Sequence, residues 1–280
     1  MKIKEILKFG IEELQKSNIE NYNIKAKMIL AHVLNKEKEY LLIHDEEIVS
    51  EELYNDFINK IQRLKMNEPI QYILNNQEFM GIQFFVNENV LIPQPDTENL
   101  VEEVLNIINS KNECVILDLC TGSGAIAVSL SKYIANKKIE IYASDISEEA
   151  LVVANKNAIN NGANIKFIKS NLFEDMDEEV KFDIIVSNPP YIETRTIDKL
   201  SEEVRKEPIL ALDGGEDGLK FYKKIIKEAK KYLNKDGILA FEIGYNQKVA
   251  VEELLKENYY RNIYSKKDLA GNDRIVVGQL

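Results

Sequence analysis

The heptapeptide SNPPYIE, residues 187–193, directly follows an apolar run, FDIIV, in residues 182–186. The length and β-branched content of that run predict a buried strand. Two consecutive prolines end the strand, because neither has an N–H group to donate to a neighbouring strand. Asn188 and Tyr191 therefore stand on a rigid backbone at the tip of a core strand. Taken alone the motif would also suit a surface turn, but its position after a core strand argues against that interpretation.

Such a tip is suited to holding a planar nitrogen group, either an amide or the exocyclic amine of a base. The lone pair of such a nitrogen is delocalised, so the nitrogen is a poor nucleophile. The side-chain oxygen of Asn188 and the main-chain carbonyl of Pro189 can accept hydrogen bonds from both of its N–H groups, and the prolines hold these acceptors in place. The acceptors favour pyramidalisation as positive charge develops, without a general base, and the Tyr191 ring offers a flat stacking surface.

A second candidate site is the glycine-rich stretch DLCTGSGAIA, residues 118–127. Gly122 and Gly124 allow the backbone to turn sharply and to approach a ligand at a helix N-terminus. By itself the pattern fits either a dinucleotide fingerprint or an ordinary strand-to-helix turn. Asp145 closes the next predicted strand 21 residues after Gly124, where a carboxylate can accept both ribose hydroxyl protons or cap the helix beginning near Ile146. Together these features predict an adenosine-containing ligand.

The identity of that ligand depends on Asp118, at the end of the first strand of this unit. Its carboxylate is awkward beside a pyrophosphate but suits a cation, such as the sulfonium of S-adenosylmethionine, although it could simply cap the turn. Ligands of open α/β sheets bind at the carboxyl ends of the strands. If residues 182–186 lie beside residues 114–119, Asn188 faces the reactive end of the cofactor. The sequence therefore predicts methyl transfer to a planar nitrogen, with S-adenosylhomocysteine as the second product.

The elements that must position these residues can also be predicted. Residues 1 to about 66 carry apolar side chains at steps of three and four, which predicts helices. Residues 69–93 are rich in Tyr, Phe and Ile and contain two extended runs on either side of Gly81, QYILNNQEF (71–79) and IQFFV (82–86), which predicts a β-hairpin linker. From residue 94 onward strands and helices alternate, which implies a mostly parallel sheet covered on both faces. We thus predict three segments: a helical N-terminal domain (1–68), the hairpin linker (69–93) and a methyltransferase domain (94–280).

Composition restricts the class of protein further. The net charge of −11, from 36 basic and 47 acidic residues, argues against a broad nucleic-acid-binding surface. Two cysteines and two histidines are too few for a disulfide framework and argue against a metal centre. The N-terminal residues lack a signal or transit pattern, and no segment approaches the ~20 apolar residues of a membrane span. We expect a cytoplasmic monomer that binds no metal, membrane or nucleic acid.

Over most of its length the chain resembles the release-factor glutamine methyltransferases, within the class I S-adenosylmethionine-dependent enzymes. The resemblance rests on EPIQYI, EFMGIQFFVNENVLIPQPDTENLVE, DLCTGSGAIA, SDISEEAL, SNPPYIE, EPILALDGGEDGL, FEIGYNQ and KDLAGNDRIVVG. Asn-Pro-Pro-Tyr is shared with enzymes that modify adenine and guanine, whereas the IP-x-PDTE and DLAGNDR stretches are more particular. The resemblance implies a Rossmann-like sheet with an antiparallel last strand. It also implies methylation of the glutamine side-chain amide in the Gly-Gly-Gln motif of class I peptide chain release factors, helped by a helical N-terminal domain that grips the release factor.

Carried over by position, the resemblance implies specific site residues. Those expected to bind the cofactor are Asp118, Cys120, Thr121, Gly122, Ser123, Gly124, Asp145, Ile146, Asn171, Leu172 and Asn188. Those expected to bind the glutamine are Asn188, Pro189, Pro190 and Tyr191, of which Asn188, Pro189 and Tyr191 are the catalytic candidates.

Three positions depart from the family pattern. Gln94 stands where arginine is common, which removes any charge-based role there. Asn171 stands where an aspartate usually precedes the adenine-flanking Leu172, and it can still hydrogen-bond adenine through its amide. Cys120 replaces the first glycine of the loop, which is tolerable if its φ is negative.

Several alternative functions remain open. The same chemistry could act on ribosomal protein L3, and Asn-Pro-Pro-Tyr would serve an adenine methyltransferase on DNA or RNA equally well. The acidic composition and the lack of a basic, aromatic-rich segment count against the nucleic-acid substrate. An NAD-dependent oxidoreductase could use the glycine loop and Asp145 but leaves residues 188–191 unexplained. A non-catalytic binding module would leave the pair of acceptors without a purpose.

Overall fold

The structure is a computed structural model that describes residues 1–109, 111–134 and 138–280. The chain folds into two compact units. One comprises Met1–Asn75 and Ser201–Lys206, and the other comprises Asn76–Leu200 and Glu207–Leu280. The domain boundaries near residues 68 and 93 that we drew from the sequence stay a prediction.

The first unit is helical, as its three- and four-residue apolar spacing predicts. Its helices are α1 (Ile3–Lys16), α2 (Tyr22–Leu34), α3 (Tyr40–Ile43), α4 (Glu51–Lys65) and α5 (Ile70–Leu74), followed by a 3₁₀ turn at Val204–Lys206. Helices α1, α2 and α4 bury one apolar stripe each in a common core. Gly10 on α1 permits this packing, because a Cβ there would lie 2.5 Å from the Phe57 ring on α4.

The second unit begins with the hairpin expected from the sequence, although it is shorter than predicted. Strand β1 (Gln77–Phe79) pairs antiparallel with β2 (Ile82–Phe84). Residues 71–74, which we predicted to be extended, instead belong to α5. Pro69 precedes that helix at its N-cap and Asn75 ends it in the left-handed conformation, so two local signals override the β-propensity of Tyr72 and Ile73.

A seven-stranded sheet forms the centre of the second unit. In chain order its strands are β3 (Glu113–Leu119), β4 (Lys138–Asp145), β5 (Lys166–Lys169), β6 (Phe182–Ser187), β7 (Leu233–Glu242), β8 (Arg261–Lys267) and β9 (Asp273–Gln279). Their spatial order is β5-β4-β3-β6-β7-β9-β8. The first five are parallel, and β9 runs antiparallel to both of its neighbours. The predicted mostly parallel sheet with an antiparallel last strand is confirmed.

Helices cover both faces of the sheet. They are α6 (Pro95–Ile108), α7 (Ala125–Tyr133), α8 (Glu148–Asn161), α9 (Ile209–Leu212), α10 (Lys220–Glu228) and α11 (Lys248–Glu257), with 3₁₀ turns at Thr194–Lys199 and Ala229–Lys231. Because strand residues alternate between faces, Ile116 packs in the cluster with α6, α7 and α8, whereas Leu117 packs in the cluster with α10 and α11. In the described ranges, no helix is both long and apolar enough to cross a membrane.

The register of the central strands brings the candidate residues to one edge. Leu119, the last residue of β3, pairs with Ser144 of β4 and with Ser187 of β6. The loop after Leu119, Asp145 after Ser144, and Asn188 after Ser187 therefore all emerge at the carboxyl edge of the sheet. The chain order reverses at this place, which is where open α/β sheets bind ligands.

Candidate active site

The glycine loop between β3 and α7 is fixed by main-chain hydrogen bonds. The N–H of Thr121 donates to the carbonyl of Ser144 at 2.9 Å, and the N–H of Gly124 donates to the carbonyl of Thr121 at 2.9 Å. Gly124 has a φ of +80° and lies so close to α8 that a Cβ would approach Ala154 Cβ to 3.1 Å. This glycine therefore serves both the turn and the helix packing.

Cys120 adopts a φ of +63°, so the condition under which we considered this residue tolerable is not met. A side chain in the left-handed region costs about 1 kcal/mol. Burial, reinforced by the charge of Asp145, raises the pKa of its thiol, so this cysteine stays protonated at neutral pH. The strain shows why a glycine is the usual residue at this position.

Asp118 braces the glycine loop from within the protein. It is fully buried, and its Oδ2 accepts hydrogen bonds from Thr121 Oγ1 at 2.6 Å and from the N–H of Ala127 at 3.1 Å. Its other oxygen, Oδ1, has no hydrogen-bond partner in the described part of the chain. Burial is the main cause that raises the Asp118 pKa to about 7. A direct contact between this carboxylate and a cofactor stays a prediction.

This carboxylate makes stability pH-dependent. Its pKa is higher in the folded protein than in the unfolded chain, so its contribution is present below pH 4 and is lost as pH rises through about 7. An asparagine side chain cannot ionise, so the free energy of unfolding of Asp118→Asn should not show this loss. Relative to the wild type, we expect it to increase by about 2–4 kcal/mol as pH rises from acidic to mildly alkaline. Urea unfolding at both ends of this range measures the difference, with exposed Asp175→Asn as control. A constant difference between Asp118→Asn and the wild type would contradict the assignment.

Asp145 lies beside the loop and is held by two main-chain donors. Its Oδ2 accepts from the N–H of Gly122 at 2.9 Å and its Oδ1 from the N–H of Ser147 at 3.0 Å. Burial raises its pKa, and these hydrogen bonds act in the opposite direction. The helix cap that we considered for Asp145 belongs instead to Ser147, whose Oγ accepts from the N–H of Ala150 at 3.0 Å.

Asn188 is oriented by a chain of three polar side chains. Its Nδ2 donates to Thr97 Oγ1 at 3.2 Å, and Thr97 Oγ1 donates to Glu242 Oε2 at 2.5 Å. Thr97 lies in the first turn of α6, and Glu242 is the last residue of β7. Local sequence patterns assign neither residue to the site, although both lie in stretches that carry the family resemblance.

One cavity of about 510 Å³ connects the loop, Asp145 and Asn188, and its volume falls in the usual range of ligand sites. Of the residues predicted from the sequence, it is lined by Cys120, Thr121, Gly122, Ser123, Asp145, Ile146, Asn171, Leu172, Asn188 and Pro190. Asp118, Gly124, Pro189 and Tyr191 do not line it.

The cavity is also lined by Thr97 and by Gln94, whose Nε2 donates to the carbonyl of Ile92 at 3.0 Å. Leu172 resembles Cys120 in having a positive φ, of +57°.

The segment around Tyr191 is held in place by residues of two stretches that carry the family resemblance, residues 207–219 and 241–247. Gln247 Nε2 donates to the carbonyls of Tyr191 at 3.0 Å and of Gly218 at 3.2 Å. A Cβ on Gly214 would lie 2.6 Å from Tyr191 Cα, and one on Gly218 would lie 2.4 Å from the Tyr191 carbonyl oxygen. The Tyr191 hydroxyl donates to Glu242 Oε1 at 3.4 Å. The glycines thus allow the close approach of two backbones.

Gly214→Ala is expected to shift the Pro190–Tyr191 backbone, since the three nearest atoms are all main-chain atoms that cannot rotate away. We expect kcat for methyl transfer to fall about ten-fold or more, because small displacements of positioning groups are costly. Gly162→Ala is the matched control. Gly162 has a φ of +66° but no atom within 4 Å of a Cβ, so that variant should lose stability and keep its kcat. Equal kcat in both variants would contradict the prediction.

The sheet order, the glycine loop, the acidic residue that ends β4 and the Asn-Pro-Pro-Tyr tip define a class I methyltransferase. A family model described as "PrmC N-terminal domain" matches residues 5–74, and one described as "Methyltransferase domain" matches residues 110–273. A methyltransferase structure from Pyrococcus furiosus, 21% identical, covers 79% of this chain and 98% of its own, with a TM-score of 0.53, and shares the fold.

Similarity to curated proteins is more specific. A release factor glutamine methyltransferase from Clostridium botulinum is 40% identical over 99% of this chain and 98% of its own. Another from Thermodesulfovibrio yellowstonii is 41% identical over 92% of this chain and 93% of its own. The chain belongs to the release factor glutamine methyltransferase family, and the resemblance seen in the sequence is confirmed.

Proposed function

We propose that this protein transfers a methyl group from S-adenosylmethionine to the side-chain amide nitrogen of the glutamine in the Gly-Gly-Gln motif of class I peptide chain release factors. The relatives' names support the substrate. The observation that carries the chemistry is that Asn188 lines the same cavity as Gly122 and Asp145. The residue proposed to bind the glutamine amide and the residues proposed to bind the nucleoside of S-adenosylmethionine therefore border the same cavity.

The residues around the cavity fit S-adenosylmethionine, which supplies an electrophilic methyl group on its sulfonium. Asp145 is positioned to accept hydrogen bonds from ribose hydroxyls, because each carboxylate oxygen has lone pairs beyond the one used by the main chain. A Cβ on Gly122 would meet no atom within 4 Å, so the loop backbone borders open space there. Asn171 and Leu172 would flank the adenine. The proposed reaction uses S-adenosylmethionine without a metal ion.

The residues of the β6 tip would hold the glutamine amide. Asn188 lines the cavity, and its Oδ1 would accept a hydrogen bond from one N–H group of the amide. The carbonyl of the next residue, Pro189, lies outside the cavity lining and would have to be reached by the amide for the second hydrogen bond, which together with the first would orient the nitrogen for attack. As the N–C bond forms and the C–S bond breaks, positive charge on the nitrogen strengthens both hydrogen bonds. The proton leaves to water afterwards, when it is far more acidic, so no general base is needed. Tyr191 lies outside the cavity lining and would contribute by fixing the loop through its hydrogen bond to Glu242.

We further propose that the helical first unit contacts the release factor. Within that unit Leu42, Ile43 and Ile48 are 68%, 75% and 77% exposed, which is unusual for large aliphatic side chains so close in sequence.

The protein would act as a monomer in the cytoplasm, where its proposed substrate works. In the described residues, no group of three or more His, Cys, Asp or Glu side chains is arranged to bind a metal ion.

The test offers purified protein and radiolabelled methyl donor to three acceptors in parallel: a class I release factor, ribosomal protein L3 and unmethylated DNA. A release factor in which the motif glutamine is replaced by alanine is the matched control. We expect label on the intact release factor alone. Label on the glutamine-to-alanine control, or on L3 or DNA in preference to the release factor, would overturn the proposal.

A further inference from the structure

The hydrogen-bond chain behind Asn188 has a direction that bears on the reaction. We propose that Thr97 and Glu242 are positioning residues that fix which end of the Asn188 amide faces the substrate. The inference deepens the function proposed above and rests on it, because it explains how Asn188 becomes an acceptor. It concerns three side chains from three separate elements: the start of α6, the end of β6 and the end of β7.

The chain is buried at its base. Glu242 is 2% exposed and Thr97 is 5% exposed, whereas Asn188 is partly exposed to the cavity. Both oxygens of Glu242 accept hydrogen bonds, Oε2 from Thr97 at 2.5 Å and Oε1 from Tyr191 at 3.4 Å. Within the described part of the chain, no group donates a hydrogen bond to Asn188 Oδ1.

The single proton of the Thr97 hydroxyl sets the direction. An ionised carboxylate only accepts hydrogen bonds, so Thr97 must donate its proton to Glu242. Thr97 Oγ1 can then only accept from Asn188, and the NH₂ end of the Asn188 amide must face it. The oxygen end is consequently left for the substrate. Without this constraint the two orientations of the Asn188 amide would differ little in energy. In the wrong orientation its NH₂ end would face the NH₂ group of the substrate, which needs acceptors.

Opposing effects act on the pKa of the Glu242 carboxyl, whose ionised form holds this direction. Burial raises the pKa of its carboxyl to about 7, while the hydrogen bond from Thr97 and the charge of Arg274 on β9 act in the opposite direction. Arg274 also pairs with Asp96 at 3.0 Å, and the Asp96 charge raises the Glu242 pKa. From α10, the Tyr222 hydroxyl donates to the main-chain carbonyl of Glu242 at 2.9 Å. Once protonated, Glu242 could donate to Thr97, which would allow the whole chain to reverse.

The variant that tests the proposal is Thr97→Val, which keeps the side-chain shape and removes the hydroxyl. We expect kcat to fall about ten- to a hundred-fold, while KM and the dissociation constant for S-adenosylmethionine change less than about three-fold. Thr97→Ser retains the hydroxyl and should recover most of the rate. Thr196→Val is the matched control, since that hydroxyl donates to the carbonyl of Glu193 outside the cavity lining. A Thr97→Val enzyme with normal kcat would overturn the proposal.

A pH profile supplies a readout that a purely structural role would not change. We expect the wild-type kcat to fall several-fold as pH decreases through about 7, because protonated Glu242 no longer holds the direction. Glu242→Gln does not titrate and, like the protonated carboxyl, can either accept from Thr97 or donate to it, so we expect it to have the low-pH rate already at about pH 8 and to show no further decline below about 7. This variant carries the test if Thr97→Val does not fold. An unchanged acidic decline in Glu242→Gln would overturn the proposal.

The ¹⁵N resonance of the Asn188 side-chain NH₂ separates this inference from the proposed function. We expect it to shift in Thr97→Val and to remain near its wild-type position in Thr97→Ser. If the resonance shifts as expected but no release factor is methylated, the positioning chain stands and the proposed function fails. If methylation occurs and the resonance is the same in wild type and Thr97→Val, the function stands and the positioning chain is wrong.

Discussion

Replacing Asn188 by alanine is expected to lower kcat for methyl transfer by about 10²–10³-fold, the loss typical of removing one preorganised hydrogen-bonding group from a reacting centre. The truncation removes the acceptor that holds one N–H of the substrate amide as charge develops on nitrogen. Affinity for S-adenosylmethionine should change less than about three-fold, because the loop and Asp145 remain intact. Single-turnover transfer of labelled methyl and calorimetric titration of the cofactor measure the two quantities separately.

Two controls make the Asn188 experiment specific. Asn160→Ala replaces an exposed asparagine on α8 and should leave both quantities unchanged. Thermal unfolding should show that Asn188→Ala is folded, since the partly buried side chain makes one hydrogen bond to the residues that the structure describes, at 3.2 Å. A variant that bound the cofactor poorly but methylated at the normal rate when saturated would show that Asn188 acts on the cofactor alone.

Features that depend on neighbouring residues could be predicted from the sequence. The strand at Phe182–Ser187, the proline-stiffened tip and the glycine turn after Leu119 all follow from local composition, and the structure contains each of them. The register that aligns their ends could only be assumed. It depends on how three strands pair across the sheet, which no local pattern specifies.

The Thr97–Glu242 contact illustrates what local reasoning cannot reach. The two residues are 145 positions apart, and each has an ordinary local interpretation: Thr97 as a helix-start residue and Glu242 as a polar end of a strand. A glutamate ending an apolar strand is a weak signal, because most such residues are solvated. Only the fold shows that this one is buried beneath Asn188, where a carboxylate needs a polar partner.

Backbone conformation in the glycine loop is a second feature that local sequence does not specify. We expected Cys120 to require a negative φ, since side chains are strained in the left-handed region, yet the loop imposes +63°. The surrounding hydrogen bonds explain why. Thr121 is tied to Ser144 and to Asp118, so the chain must turn at residue 120 whatever its side chain is. The loop therefore tolerates a local cost of about 1 kcal/mol in order to keep its shape.

Replacing Asp145 by alanine is expected to have the opposite effect to Asn188→Ala. We expect the dissociation constant for S-adenosylmethionine to rise at least about 100-fold, because a charged acceptor contributes about 1.5–3 kcal/mol per hydrogen bond and two ribose hydroxyls would lose theirs. At saturating cofactor kcat should fall less than about ten-fold, since the β6 tip is unchanged. Calorimetric titration gives the first quantity, and single-turnover transfer at high cofactor concentration gives the second.

The main complication is that Asp145 also holds the glycine loop through the N–H of Gly122. Asp177→Ala is the matched control, because exposed Asp177 likewise accepts a main-chain N–H, from Glu179 at 2.9 Å, without lining the cavity. Asp145→Asn keeps an uncharged acceptor and should weaken binding less than alanine does. Since burial raises the Asp145 pKa, wild-type affinity should also decline as pH falls through that pKa, and Asp145→Asn should not share the decline. If Asp145→Ala bound the cofactor normally, the nucleoside would have to be held elsewhere. The proposal that one cavity holds both the cofactor and the glutamine amide would then be wrong.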